Sequence, residues 1–358
     1  MAKNIVVCCD GTGNEVGERI SNVVKLHSVL VEGPDQRVFY DPGVGTFPVR
    51  QTLTKPARSF QKILGLAFGY GFRQNVMEAY SFIMKTYEEG DRIYLFGFSR
   101  GAYTARVVAG LIHSVGILRD GQENLIPYAL RYCQRTRRGI DWARLSGFKK
   151  RFARDPDAKV HFLGVWDTVS SVSWLWDRLV FSATATNKSV STMRHAVAID
   201  ERRAFFRTNL WNLETSEEQD AKEVWFAGVH CDIGGSYDEE ECGLSKLSLE
   251  WMLVEAINHG LAVDIPKAKA VIDADQAPDP LAKQHNSLTL KWLPCEFVPK
   301  RPYYRGRRRF RINLGRRRHV PDSPVLHQSV DIRLNDAKLD YKPANLPKKY
   351  TVEIRKPI

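Results

Sequence analysis

Apolar residues in this chain fall in short unbroken blocks. "NIVVCC" begins at Asn4, "RVFY" at Arg37, "RIYLFGF" at Arg92, "VHFLGVW" at Val160 and "EVWFAGV" at Glu223. A strand apolar at every position is covered on both faces, which is the pattern of a parallel sheet between helices. Helical spacing fills the gaps. "SNVVKLHSVL" has Ser21 or Asn22 as its N-cap, and "NVMEAYSFIMKTY" puts Val76, Ala79, Phe82 and Ile83 on one side. "SRGAYTARVVAGLIHSVGIL" is rich in small residues, and "SLEWMLVEAINHG" ends at Gly260 as C-cap. The expected class is therefore α/β, with a mostly parallel sheet and helices on both faces. Beyond residue 260 the chain turns rich in Pro and Arg, with short alternating strands such as "YTVEIRK".

In such sheets ligands gather at the carboxyl ends of the strands. The polar residues there are Asp10, Ser99, Asp167 and His230. Gly97-Phe98-Ser99-Arg100-Gly101 has the form GxSxG, between an apolar strand and a helix. That context is what a nucleophile elbow requires. Gly97 and Gly101 let backbone pass close by, and the serine hydroxyl projects above the sheet. The amide of Arg100 would then stand at a helix N-terminus, where an oxyanion is favoured. Gly11 or Thr12, in the "DGTGN" turn after the first strand, would supply a second amide. The plainer alternative for this turn is a loop capped by Asp10. No GK[ST] follows, which excludes a P-loop.

A serine nucleophile needs a base, and the base needs an orienting acid. His230 follows a buried strand and is the expected base. Asp167, at another strand end, is the expected acid, with Asp200 and Asp232 as rivals; Asp232 is better placed to shape the turn at His230. The order serine, acid, histidine is that of α/β-hydrolases. His195 reads as part of a helical stretch and is set aside with the remaining histidines. Directly after Asp167, "SSVSWLWDRLVFSATATN" carries Trp174, Trp176 and Phe181, expected either as a lid or acyl-chain groove or as a core helix.

Charge and cysteine content add limits. Lys and Arg total 53 against 41 Asp and Glu, a net charge of +12. Much of the excess lies in "KRPYYRGRRRFRINLGRRRH", from Lys300 to His319. That run suits an anionic membrane surface or nucleic acid phosphates, or else pairs with acids elsewhere in the fold. The six cysteines form no CxxC pair, which argues against a zinc ribbon and for free thiols in a reducing compartment. No apolar run is long enough to span a bilayer, and "MAKNIVVCCDGTGN" is not a secretory leader, so a cytoplasmic protein is expected.

The motifs "CDGTGN", "GVGT", "AFGYGFRQNVMEAY", "GDRIYLFGFSRGAYTAR", "GVWDTV", "AIDERRAFF" and "VWFAGVHCDIGGSY" together resemble the DUF2235 family. This α/β-hydrolase family includes the Tle1-type phospholipase effectors of bacterial type VI secretion. The resemblance spans most of residues 4 to 260 and implies a serine esterase acting on glycerophospholipids without metal or cofactor. Its nucleophile, acid and histidine fall on Ser99, Asp167 and His230. It also implies delivery as a secreted effector, with an immunity or delivery partner. The expected organisation is a catalytic α/β-hydrolase domain over 1–260, with a lid or insertion at 170–190. A basic extension over 261–358 would pack on that domain or complete it. The alternatives are a general carboxylesterase on small soluble esters, and an inert hydrolase fold that binds nucleic acid or anionic surfaces through its basic tail.

Overall fold

The computed structural model describes residues 2–11, 19–43, 71–135, 139–169, 181–213, 219–297, 303–304, 307–308, 312–354 and 358. Strands β1 (Asn4–Cys9), β2 (Gln36–Asp41), β3 (Arg92–Phe98), β6 (Val160–Trp166), β7 (Val190–Ala198), β8 (Asp220–Phe226), β11 (Val325–His327) and β12 (Thr351–Glu353) form one sheet. Their order is β12-β11-β8-β7-β6-β3-β1-β2, and every pairing is parallel. Two short antiparallel pairs lie apart from it: β4 (Ile117–Leu118) with β5 (Ala153–Asp155), and β9 (Tyr303–Tyr304) with β10 (Arg307–Arg308).

Because side chains alternate along a strand, each central strand feeds two cores. Ile5, Val7, Cys9, Ile93, Leu95, Leu163 and Val165 face one. There they meet helices α2 (Phe72–Thr86), α3 (Arg100–Val115), α4 (Ile126–Cys133) and α5 (Trp142–Phe152). Val6, Cys8, Tyr94, Phe96, Phe162 and Trp166 face the other. That side is covered by α1 (Asn22–Val29), α7 (Gly243–Asn258) and α8 (Ile265–Asp273). Ser21 caps α1, accepting from the Val24 N–H at 3.3 Å. Among the described residues, no helix is long and apolar enough to cross a membrane, and all six cysteines are free.

The chain leaves β1 for β2 on one side and returns to β3 on the other, so the direction of winding reverses between β1 and β3. A crevice opens at such a switch point, at the carboxyl ends of the strands. Ser99 follows β3 directly, and Asp10 follows β1.

Strand β7 departs from the sequence reading, which placed His195 in a helix. It is a central strand, and His195 is wholly buried in it. Arg194 and His195 break the apolar pattern because their polar groups are matched internally. Arg194 binds Glu255, and Asp220 at 2.6 Å, while His195 Nδ1 lies 2.7 Å from Glu223. Residues beyond 260 build strands of this same sheet. Leu326 of β11 is fully buried with Val197 and Trp225, and α9 (Gln328–Asn335) packs alongside through Val330. Leu326→Ala is therefore expected to cost roughly 2–5 kcal/mol in the main urea unfolding transition. An unchanged midpoint would mean that this strand is not part of the cooperative unit.

Candidate active site

Ser99 sits between the last residue of β3 and the first of α3 with φ 59° and ψ −117°. This is a strained conformation for a residue with a side chain, costing on the order of 1–3 kcal/mol. Neighbouring strands hold it there. The Ser99 N–H donates to the Trp166 carbonyl at 3.0 Å, and the Val169 N–H donates to the Ser99 carbonyl at 3.2 Å. The flanking glycines are a packing requirement. A Cβ on Gly97 would lie 2.5 Å from the Gly101 carbonyl oxygen, and one on Gly101 would strike the carbonyls of Cys9 and Asp10. GxSxG thus reads physically as β3, α3 and the end of β1 passing at backbone contact beneath a raised hydroxyl.

Asp167 follows β6 with φ 38°, its N–H bonded to the Ala196 carbonyl at 2.8 Å. His230 is not a strand residue. It opens the short helix α6 (His230–Gly234) after β8 and a turn. These three side chains, far apart in sequence, form one chain of hydrogen bonds. His230 Nε2 lies 2.8 Å from Ser99 Oγ, and His230 Nδ1 lies 2.5 Å from Asp167 Oδ2. The rival acids hold the turn before His230 instead. Asp200 accepts from the Gly228 N–H at 2.9 Å and from Tyr341 at 2.7 Å, and pairs with Arg317 at 2.6 Å. Asp232 accepts from the Val229 N–H at 2.9 Å and lies 2.6 Å from His285 Nδ1.

The imidazole is packed between aromatic rings. Phe98 stacks on it at 4.6 Å and Phe206 meets it edge-on at 4.8 Å. Burial therefore lowers the basicity of His230, and the hydrogen bond and charge of Asp167 oppose that shift. Burial alone would raise Asp167, but the Arg318 charge and the bonds to His230 and Arg318 hold its carboxyl far below the usual range.

Two of the residues around this centre were not legible as site residues. Glu201 accepts from the His230 N–H at 3.2 Å and binds Arg203 at 2.9 Å. Desolvation pushes its carboxyl up, yet Arg203 and then Arg318 and His230 bring it down to about 2. Its signal was the charged cluster of "AIDERRAFF" set against the end of β7. Arg318 lies in the arginine run, and no local feature separates it from Arg316 and Arg317. The run is accordingly not all solvated, since Arg317 and Arg318 pair with acids at strand ends.

Other expected site residues fare differently. The Gly11 N–H donates to Asp10 Oδ1 at 2.6 Å, so this amide serves the Asp10 turn rather than standing open to an oxyanion. Ser21 and Tyr40 donate to the other Asp10 oxygen at 2.7 and 2.9 Å, fixing the turn. Thr12, Trp174 and Trp176 lie outside the described residues. Phe181 is a core residue 5.9 Å from Phe72, and the neighbouring Ser182 N–H bonds the Cys133 carbonyl at 2.9 Å, so Phe181 does not serve as a lid contact. Among the described residues, no group of three or more His, Cys, Asp or Glu is placed to hold a metal ion.

Residues 3–255 match the family of Tle1-like phospholipase effectors of the type VI secretion system, over their catalytic domain. The chain belongs to this family. The Tle1-like match takes in the elbow, Asp167 and His230, and stops short of Arg318. The chain is 38% identical over 221 residues to the uncharacterized protein YEL023C of Saccharomyces cerevisiae, covering 57% of this chain and 32% of that protein. A structure of an uncharacterized protein from Pseudomonas aeruginosa is similar with a TM-score of 0.45 and 18% identity, covering 78% of this chain and 49% of the other. The Tle1 effector bound to the VgrG spike of the type VI secretion system has a TM-score of 0.39 and 19% identity, covering 68% and 52%. The chain spans about a third of the length of the yeast relative and about half of each solved chain.

The close approach at the elbow of this Tle1-like domain is open to a direct test. Gly101→Ala is expected to lower unfolding stability by roughly 1–3 kcal/mol or more, because the new methyl meets backbone that cannot swing aside. Wild-type stability in calorimetry would contradict the contact.

Proposed function

We propose that the protein is a serine esterase that cleaves carboxylic esters of glycerophospholipids through an acyl-enzyme. The observation that carries this reading is the hydrogen-bond chain from Ser99 through His230 to Asp167, starting at a strained elbow. His230 Nε2 takes the Ser99 proton as Oγ attacks the ester carbonyl. The Arg100 amide, at the N-terminus of α3, holds the oxyanion, with Thr12 as the candidate second donor. His230 then gives the proton to the leaving alcohol, releasing a lysolipid and leaving the acyl group on Ser99. Water, deprotonated by His230, attacks that acyl group, and Ser99 Oγ leaves with the proton as fatty acid departs.

Family membership and the surface beside the site support a lipid ester. Trp292 meets Phe206 edge-on at 5.3 Å; Leu290, Leu293 and Phe297 in the same segment are exposed, as are Ile312 and Leu314, whose neighbour Asn313 bonds Glu296 of that segment. Apolar side chains grouped at the rim of a site favour an interface over bulk water.

Ser99→Ala is expected to reduce turnover on the order of 10⁵-fold and to abolish labelling by a fluorophosphonate probe. Incubation with mixed phospholipid vesicles, followed by mass spectrometry, should give fatty acid and lysolipid only with the wild-type protein. Turnover confined to short soluble esters would move the substrate class to small esters. An unlabelled Ser99 would leave an inert fold.

The pH dependence follows from His230. As a base it must be neutral, and burial sets its folded value below the ordinary 6.5. Activity should therefore be full above that folded value and fall as pH drops through it. The acid limb of kcat/KM is expected below pH 6.5. A limb at or above neutrality would contradict the environment described.

A further inference from the structure

We infer that Arg318 is a positioning residue of this site, fixing the Asp167 carboxylate and setting the pH at which the Asp167–His230 pair takes up a proton. The inference rests on the proposed triad and deepens it. Arg318 reaches Asp167 with both terminal nitrogens. Nη1 lies 2.5 Å from Oδ1 and Nη2 lies 2.9 Å from Oδ2. The Ala198 N–H adds a bond to Oδ1 at 3.0 Å. With His230 on Oδ2, the carboxylate accepts from four donors and cannot rotate without breaking several. The guanidinium is itself fixed. Its Nε donates to the Phe206 carbonyl at 2.9 Å, and Nη2 also bonds that carbonyl. Both ends of this fork are buried. One residue thus ties the acid to the backbone of Phe206, whose ring walls His230.

Bidentate geometry is a property of the planar guanidinium, which a lysine cannot reproduce. It leaves Oδ2 aimed at Nδ1, so the imidazole keeps its lone pair on Nε2, toward Ser99. The charge has a second effect. A proton added to the Asp167–His230 pair, on either member, is repelled by the cation beside it. Arg318 therefore holds the pair's proton uptake at lower pH than an isolated acid and histidine would show. Other groups facing the pair are Glu201, Arg203 and Cys231. Across the Thr168 backbone lies His195, with Glu223 and Arg106. The substitution of Arg318 changes none of these residues, although it also removes a charge that acts on Glu201.

The test compares Arg318→Met and Arg318→Lys with wild-type protein, reading kcat/KM against pH and the rate of fluorophosphonate labelling on samples with native near-ultraviolet circular dichroism. Arg318→Met is expected to raise the acid limb by about one pH unit or more and to lower the plateau roughly 10–100-fold. Arg318→Lys keeps the charge but loses the fork, so its limb should stay near wild type while the plateau falls. A folded Arg318→Met variant with an unmoved limb would overturn the role. Should the Met variant not fold, the Lys variant decides: a lowered plateau with an unmoved limb supports the role, and a wild-type plateau or a limb raised by a unit overturns it. Labelling of Ser99 in wild-type protein tests the underlying triad separately, since it does not depend on where the limb of either variant falls.

Discussion

A carboxylate with no exposure to solvent survives as an anion only when its charge is answered on the spot, and Asp167 is such a group. Removing it from water costs several kcal/mol before any partner is counted. Four donors and one full positive charge offset that cost. The arrangement draws on β6 for the acid, the end of β7 for an amide, the turn after β8 for the imidazole and the segment before β11 for the guanidinium. The sheet order puts β6, β7, β8 and β11 side by side, which is why four distant segments end within bonding distance of one carboxylate.

The elbow depends on the same sheet in another way. Ser99 holds backbone dihedrals that a free chain would abandon, and hydrogen bonds to the end of β6 and to Val169 keep it there. The strain is tolerable because α3 is buried almost all round and cannot shift to relieve it. Gly97 allows the approach of α3 and Gly101 that of the end of β1, where Ser21 and Tyr40 fix the Asp10 turn. A raised hydroxyl, a neutral imidazole and a helix N-terminus then meet at the switch point of the sheet.

Dryness links these features. Phe98 and Phe206 shield His230 from water, which lowers its basicity and strengthens each charge acting on it. Arg203 lies over the Phe206 ring at 3.5 Å and pairs with Glu201, which in turn holds the His230 backbone. The segment that reads in sequence as a basic extension is thus tied to the centre of the fold. It supplies β11 and β12 to the sheet and a cation to the acid.

The chain by itself determined the strands that are buried on both faces, because unbroken apolar runs need no knowledge of neighbours to be read. It also determined the elbow, because glycines spaced around a serine at a strand end meet a local steric demand, and it put Asp167 directly after a strand; His230, expected at a strand end, instead opens a helix beyond a turn. Strand β7 was hidden because Arg194 and His195 interrupt its apolar pattern, and their partners Glu255, Asp220 and Glu223 lie on other elements. Gly11 lost its expected role to a carboxylate one residue away, a choice made by the turn's conformation. Which acid meets the imidazole, and which of three consecutive arginines answers that acid, was decided only when the sheet closed. Charge pairing over more than a hundred residues leaves no periodic trace along the chain, since it depends on which strand ends become neighbours.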